Sequence, residues 1–183
     1  MSNHAALEEL LLETSRRNTD FVADLIYKRP ELFEDLFGIF AGNVEPVSRR
    51  AAWVVDTVSE KSPGLIESHL GELIGLLSKF GHGALKRHSL RILARSPLPM
   101  ETNLGELIRI CFEWLLSPKE AISVKVHCME ILYRVSQKEP DLKNELADSI
   151  EWRMNEENPG FRSRGQKILK KLNSEINKVT KPG

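Results

Sequence analysis

Val47-Ser48-Arg49-Arg50-Ala51-Ala52-Trp53-Val54-Val55 sets a pattern that the chain uses four times. Each segment opens on an apolar residue: Val47, Leu85, Val124 and Phe161. Four places later stands a small one: Ala51, Ser89, Cys128 and Gly165. An apolar pair follows at seven and eight: Val54-Val55, Ile92-Leu93, Ile131-Leu132 and Ile168-Leu169. Successive segments start 38, 39 and 37 residues apart. Offsets of four, seven and eight lie on one face of an α-helix. A column kept small at a near-constant period marks one supersecondary unit used repeatedly, with the small residue where helices approach closely.

Periodicity stays helical on either side of these segments. Ile66, Leu70, Leu73, Ile74 and Leu77 form one apolar stripe, and Leu104, Leu107, Ile108, Cys111 and Leu115 form another. Leu70-Gly71-Glu72-Leu73-Ile74 recurs unchanged as Leu104-Gly105-Glu106-Leu107-Ile108. No run alternates with period two, and no Asn-Gly or Asp-Gly hairpin signal occurs. Pro30, Pro46, Pro63, Pro97, Pro99, Pro118, Pro140 and Pro159 cut the chain into helix-length pieces. Ser62-Pro63 and Ser117-Pro118 read as capping serines before a proline in the first turn, with Glu120 completing a box on Ser117. The expected fold class is all-α: helix hairpins that cannot bury their apolar faces alone and so stack on one another.

With Glu45-Pro46-Val47-Ser48-Arg49-Arg50-Ala51-Ala52 added to the period, the chain resembles the HEAT-repeat (armadillo-like) family. That pattern has an acidic residue and Pro in the turn within a repeat, then an apolar residue, Arg and two small residues on the second helix. The first unit is closest, with Val47 one place early; later units keep the small column and the apolar pair. The resemblance implies an α-solenoid of antiparallel hairpins wound as a right-handed superhelix. One domain is expected, with capping helices over 1–29 and four repeats near 30–59, 63–95, 100–136 and 140–177. A basic tail at 178–183 is expected to be disordered.

Composition narrows the function classes. Lys+Arg and Asp+Glu are 26 each, so no global field draws the chain to nucleic acid or a membrane. The charge is uneven, however: residues 1–46 carry a net −5 and residues 161–183 a net +6. Glu106, Arg109 and Glu113 interrupt the apolar stretch Leu104–Leu116, so no spanning helix is expected. Met1-Ser2-Asn3-His4 lacks the basic segment and apolar core of a signal peptide. Cys111 and Cys128 cannot form a disulfide framework and read as core residues. A cytoplasmic location is expected.

No phosphate loop, dinucleotide-binding glycine pattern or His-Glu-x-x-His occurs, so no catalytic residue, cofactor or metal is assigned. Gly81-His82-Gly83 reads as a helix end and turn. His88 and His127 share a repeat column and would stand roughly 10 Å apart, too far to share one metal. The signal that remains is basic. Arg49-Arg50, Lys86-Arg87-His88, Lys125 with His127, and Arg162 with Arg164 each sit at the start of a second helix. By the resemblance these helices line the concave face. There the basic residues either pair with turn acids such as Glu45, Glu120 and Glu156-Glu157, forming a ladder, or make a binding ridge.

The turn of the second unit has no acid, yet Arg87, Arg91 and Arg95 follow at i, i+4 and i+8. Like charges at that spacing repel, so local helix stability does not account for them. Trp53 stands in a column otherwise filled by Arg91, Glu130 and Lys167, which places it toward solvent unless it tucks against Phe37 or Phe40. Aromatic and Arg side chains together have the composition of a binding hot spot. The expected site is therefore Trp53, Arg87, Arg91 and Arg95 with Arg49 and Lys86, and the expected function is a non-catalytic scaffold holding a partner protein or acidic peptide. Nucleic acid is the alternative partner. HEAT-like DNA-alkylation-repair proteins hold damaged DNA with concave Trp, Asp and Arg, and Trp53, Asp56 and Arg91 resemble that set in kind. For a scaffold, no buried titratable pair within hydrogen-bonding reach is expected in this region.

Overall fold

The computed structural model describes residues 3–97 and 103–179. Of these, 78% are helical and none is in a strand. The chain forms two compact units, residues 1–103 and 104–183. The expected start of the third repeat at 100, and residues 180–183 of the tail, lie outside the described residues. Lys178 and Val179, where the tail was expected to begin, end the last helix.

The first unit runs α1 (Asn3–Leu10), α2 (Arg16–Lys28), a 3-10 turn (Pro30–Leu32), α3 (Phe33–Ala41), α4 (Val47–Lys61), α5 (Gly64–Glu67), α6 (Leu70–Leu77) and α7 (Gly83–Arg95). Ser15 caps α2 by accepting from the Asn18 N–H at 3.0 Å. Helix α4 packs between α2 and α7, and α3 packs on its other side. Arg50 fastens α4 to the end of the first hairpin, its Nη1 donating to the carbonyls of Leu11 at 2.9 Å and Leu12 at 2.7 Å. Phe33, Phe37, Phe40 and Phe80 are buried, with the His69 ring 4.3 Å from that of Phe37. At the turn between α3 and α4, Asn43 takes φ 54°, a region an Asn tolerates, and donates to the Lys79 carbonyl at 3.2 Å.

The second unit contains α8 (Leu104–Leu116), α9 (Ile122–Ser136), α10 (Leu142–Met154) and α11 (Pro159–Val179). Helices α8 and α9 pair, and α10 and α11 pair and pack on α9. The repeat columns are buried where the period puts them: Ala51, Val55, Ser89 and Leu93 in the first unit, and Cys128, Leu132 and Leu169 in the second. Gly165 shows why the column is small. A Cβ there would lie 3.0 Å from both Ile150 Cγ2 and Met154 Sδ.

The two Ser-Pro signals act differently from their sequence reading. Ser62 ends α4, and Pro63 leads only into the short α5, with no side-chain cap. Ser117 accepts from the Lys119 N–H at 3.2 Å inside a turn, while α9 begins later, after Ala121. In both places the proline marks a corner, and the helix that packs starts a few residues on, where the apolar stripe begins.

Candidate functional site

The site grows from Asp56 on α4. Ala52, Asp56 and Ser59 lie on the buried side of this helix, and Asp56 is 2% exposed against α7. Its Oδ2 lies 2.8 Å from His88 Nδ1, and its Oδ1 accepts from Arg95 Nη2 at 2.5 Å. The same Arg95 nitrogen reaches the Asp56 carbonyl and Ser59 Oγ, each at 3.0 Å. Arg91 Nη1 stands 3.4 Å from Asp56 Oδ2, with its Nη2 3.9 Å from Glu60. One buried carboxylate thus holds two arginines and a histidine. Burial pushes the Asp56 carboxyl up, but hydrogen bonds from His88 and Arg95 and the Arg95 charge outweigh it and hold it below its ordinary value.

His88 has a fixed tautomer in this arrangement. Its Nε2 lies 3.2 Å from Arg87 Nη2, and a guanidinium can only donate. The lone pair is therefore on Nε2, and the proton on Nδ1 goes to Asp56. The Trp53 ring lies over the imidazole at 6.5 Å and an interplanar angle of 21°. Trp53 is half-buried, and its ring contact is with His88, not with Phe37 or Phe40.

This accounts for the arginine stripe that local helix stability does not. Arg91 and Arg95 share the carboxylate supplied by α4, which replaces the missing acid in the α6–α7 turn. The expectation that no buried titratable pair would converge here is overturned, because Asp56 and His88 are such a pair. Sequence reasoning named Asp56 only beside Trp53, set His88 aside as a metal ligand and placed it in the basic segment Lys86-Arg87-His88. A carboxylate directly after the buried pair Val54-Val55, on the helix facing three arginines, was the available signal.

The other candidate residues stand close by on the first unit. Arg49 is exposed, with Nε 3.1 Å from Glu45 and Nη1 3.4 Å from His82 Nε2. His82 caps α7, its Nδ1 accepting from the Ala84 N–H at 3.1 Å. Lys86 is half-buried and Arg87 exposed on the first turns of α7. Arg91 keeps 45% of its side chain in solvent.

In the second unit the basic residues follow the ladder. Lys125, which reads in the sequence as part of a ridge, is 1% exposed and ion-paired to Glu157 in the α10–α11 turn. Arg153 also reaches Glu157, and Arg162 Nε donates to its carbonyl at 2.8 Å. Arg164 pairs with Glu130. Lys125 thus reaches from a second helix to the acid of the following turn, whereas Arg162 reaches the turn of its own hairpin and Arg164 the earlier helix α9.

These geometries, with the family comparison, decide the family: a model described as a HEAT repeat domain matches residues 6–172. The chain belongs to the HEAT-repeat family. No curated protein and no solved structure matches it. HEAT repeats serve in general as protein-interaction scaffolds. Among the described residues of this HEAT protein, no group of three His, Cys, Asp or Glu could hold a metal, and no helix is long and apolar enough to cross a membrane.

Proposed function

We propose that this HEAT protein is a non-catalytic scaffold whose α4–α7 face binds an acidic segment of a partner protein. One observation carries the reading. Asp56 is engaged by His88, Arg95 and Arg91, yet Arg91 remains 45% exposed, while Trp53, on the same helix as Asp56, is half-buried with its ring against His88. A guanidinium already drawn into an ion pair with a buried carboxylate loses less freedom on meeting a second one, and its planar fork suits carboxylates. Trp53 adds a flat surface of low conformational cost. By family resemblance these second helices line the concave face.

The test is selection of random displayed peptides on the full chain. Enriched peptides should carry Asp or Glu, and their binding should weaken with salt. Trp53→Ala and Arg91→Ala should each cost about 2 kcal/mol, roughly thirtyfold in affinity. Peptides that bind both variants as they bind the parent chain would refute the proposal.

The pairing of Asp56 with Arg91, one turn along α4 from Trp53, also supports a second reading, an enzyme like the DNA-alkylation-repair proteins. Against it, Asp56 is 2% exposed and its oxygens are occupied, so it anchors arginines and does not face a substrate. Excision of a methylated base from duplex DNA, abolished by Asp56→Asn, would establish this reading in place of the scaffold.

A further inference from the structure

The face that carries Trp53 continues onto α2, because α2 repeats the pattern of the second helices. Counted from Ser15, buried Thr19 stands at four and the buried pair Val22-Ala23 at seven and eight, 32 residues before the segment that opens at Val47. The same count puts Arg17, Arg49 and Arg87 at two, and Phe21, Trp53 and Arg91 at six. Contacts between the helices hold this register. On the α2 side of α4, Arg50 reaches the Leu11 and Leu12 carbonyls, and the Thr57 carbonyl accepts from the Tyr27 hydroxyl at 3.1 Å. Trp53 lies between Arg50 and Thr57, as Phe21 lies between Leu12 and Tyr27. On the α7 side the Trp53 ring rests on His88, one turn before Arg91. Phe21, Trp53 and Arg91 therefore stand in one row across α2, α4 and α7.

The two ends of the row differ. Phe21 is 57% exposed, and beside it an open hollow of about 490 Å³ is lined by Leu10, Glu13, Arg17, Asn18 and Phe21. Its wall is fixed, since Asn18 Nδ2 donates to the carbonyls of Leu10 at 2.7 Å and Glu13 at 3.1 Å. Arg16, Arg17 and Lys28 stand against Glu13, Asp20 and Asp24, so this end is balanced in charge and apolar at its centre. At the other end, Arg87, Arg91 and Arg95 meet the carboxylates of Asp56 and Glu60, which leaves one positive charge in excess.

We propose that the row binds its partner segment as a polyproline II helix, with apolar side chains on Phe21 and Trp53 and an Asp or Glu at Arg91. Packed helices stand roughly 8–10 Å apart. A polyproline II chain turns once in three residues and advances about 9 Å in doing so, so that every third side chain meets the next helix. A β-strand returns to one face about every 6.6 Å and falls out of step with the helices. The bound sequence is then apolar-x-x-apolar-x-x-acid, or its reverse. A protein segment fits better than a single nucleic-acid strand, which carries a charge at every nucleotide. Carboxylates interrupt the arginines: Glu13 shares the hollow with Arg17, Glu45 lies 3.1 Å from Arg49, and Glu60 lies 3.9 Å from Arg91. The proposal rests on the scaffold reading above and adds to it the conformation and residue order of the partner.

The peptides selected on the full chain test both. Their consensus should repeat every three residues, with Pro admitted at the intervening positions. Phe21→Ala should weaken binding of a consensus peptide about tenfold, whereas Phe21→Leu, which keeps an apolar contact, should retain most of it. One residue inserted between the two apolar positions of the peptide should weaken binding as much as Phe21→Ala does. Peptides that depend on Trp53 and Arg91 but ignore both Phe21→Ala and the insertion would overturn the row and leave the scaffold reading standing. Binding that ignores Trp53 and Arg91 would overturn the scaffold reading itself. Oligothymidylate that displaces the peptide, and fails to bind Phe21→Ala and Trp53→Ala, would assign the row to single-stranded nucleic acid in place of a protein segment.

Discussion

Asp56 is the residue on which the site depends, and its removal has a calculable direction. In Asp56→Ala, Arg95 and His88 lose a buried acceptor, a change worth about 3–5 kcal/mol when both partners are fully buried. Arg95 and Arg91 are partly exposed and can rehydrate, so a smaller loss of about 2–3 kcal/mol is expected in chemical denaturation. Because the carboxyl is held below its ordinary value, its stabilisation is complete above about pH 4. It is lost as pH falls through the lowered folded value. Asp56→Asn should therefore flatten the acid limb of the stability curve; an unchanged limb would place the acid sensitivity elsewhere. Arg91→Glu is a poor probe by comparison, since it sets a second carboxylate beside Asp56. At the small column, Cys128→Leu should overpack the α9 contact and cost roughly 1–3 kcal/mol, measured by the same denaturation.

Among the elements, α11 is held by a polar clamp as well as by its apolar face. Glu175 on α11 lies 2.9 Å from Lys143 on α10 and accepts from the Tyr133 hydroxyl on α9 at 2.7 Å. Those hydrogen bonds bring its carboxyl down to about 2. The clamp is then complete above about pH 4.5, the ordinary range of a glutamate, and releases as pH falls toward 2. Glu175→Gln should lower the melting temperature near neutrality and make it less steeply dependent on pH below 4.5; a parallel shift at every pH would contradict the clamp. Helix identity at this scale was readable in the sequence, because the stripes at Leu70–Leu77 and Leu104–Leu116 need only local spacing. Helix starts were less readable. Ser117-Pro118 satisfies the rules of a cap, but only the packing of Val124 and Cys128 decides that α9 begins after Ala121.

Over the whole molecule, the repeat period carried the fold and the family, because buried columns recur wherever one hairpin must cover the next. Ala51, Ser89, Cys128 and Gly165 are legible as packing positions without any knowledge of partners. The site was only half legible. Trp53 and the arginines stand out by composition, whereas their anchoring by Asp56 depends on the juxtaposition of α4 and α7, across 30 residues and more of chain. Lys125 was misread for the same reason, its partner Glu157 lying 32 residues away. The central claim is that acidic segments bind at Trp53 and Arg91, and the three tryptophans offer a direct reading of it. Trp53 is half-buried, Trp114 is 6% exposed and Trp152 is 63% exposed, each in a different helix. Titrating the full chain with a selected peptide while recording the three indole N–H resonances should shift Trp53 and the backbone amides of α7, with the shifts reversed by added salt. A shift confined to Trp152 and α10, with Trp53 unmoved, would contradict the account.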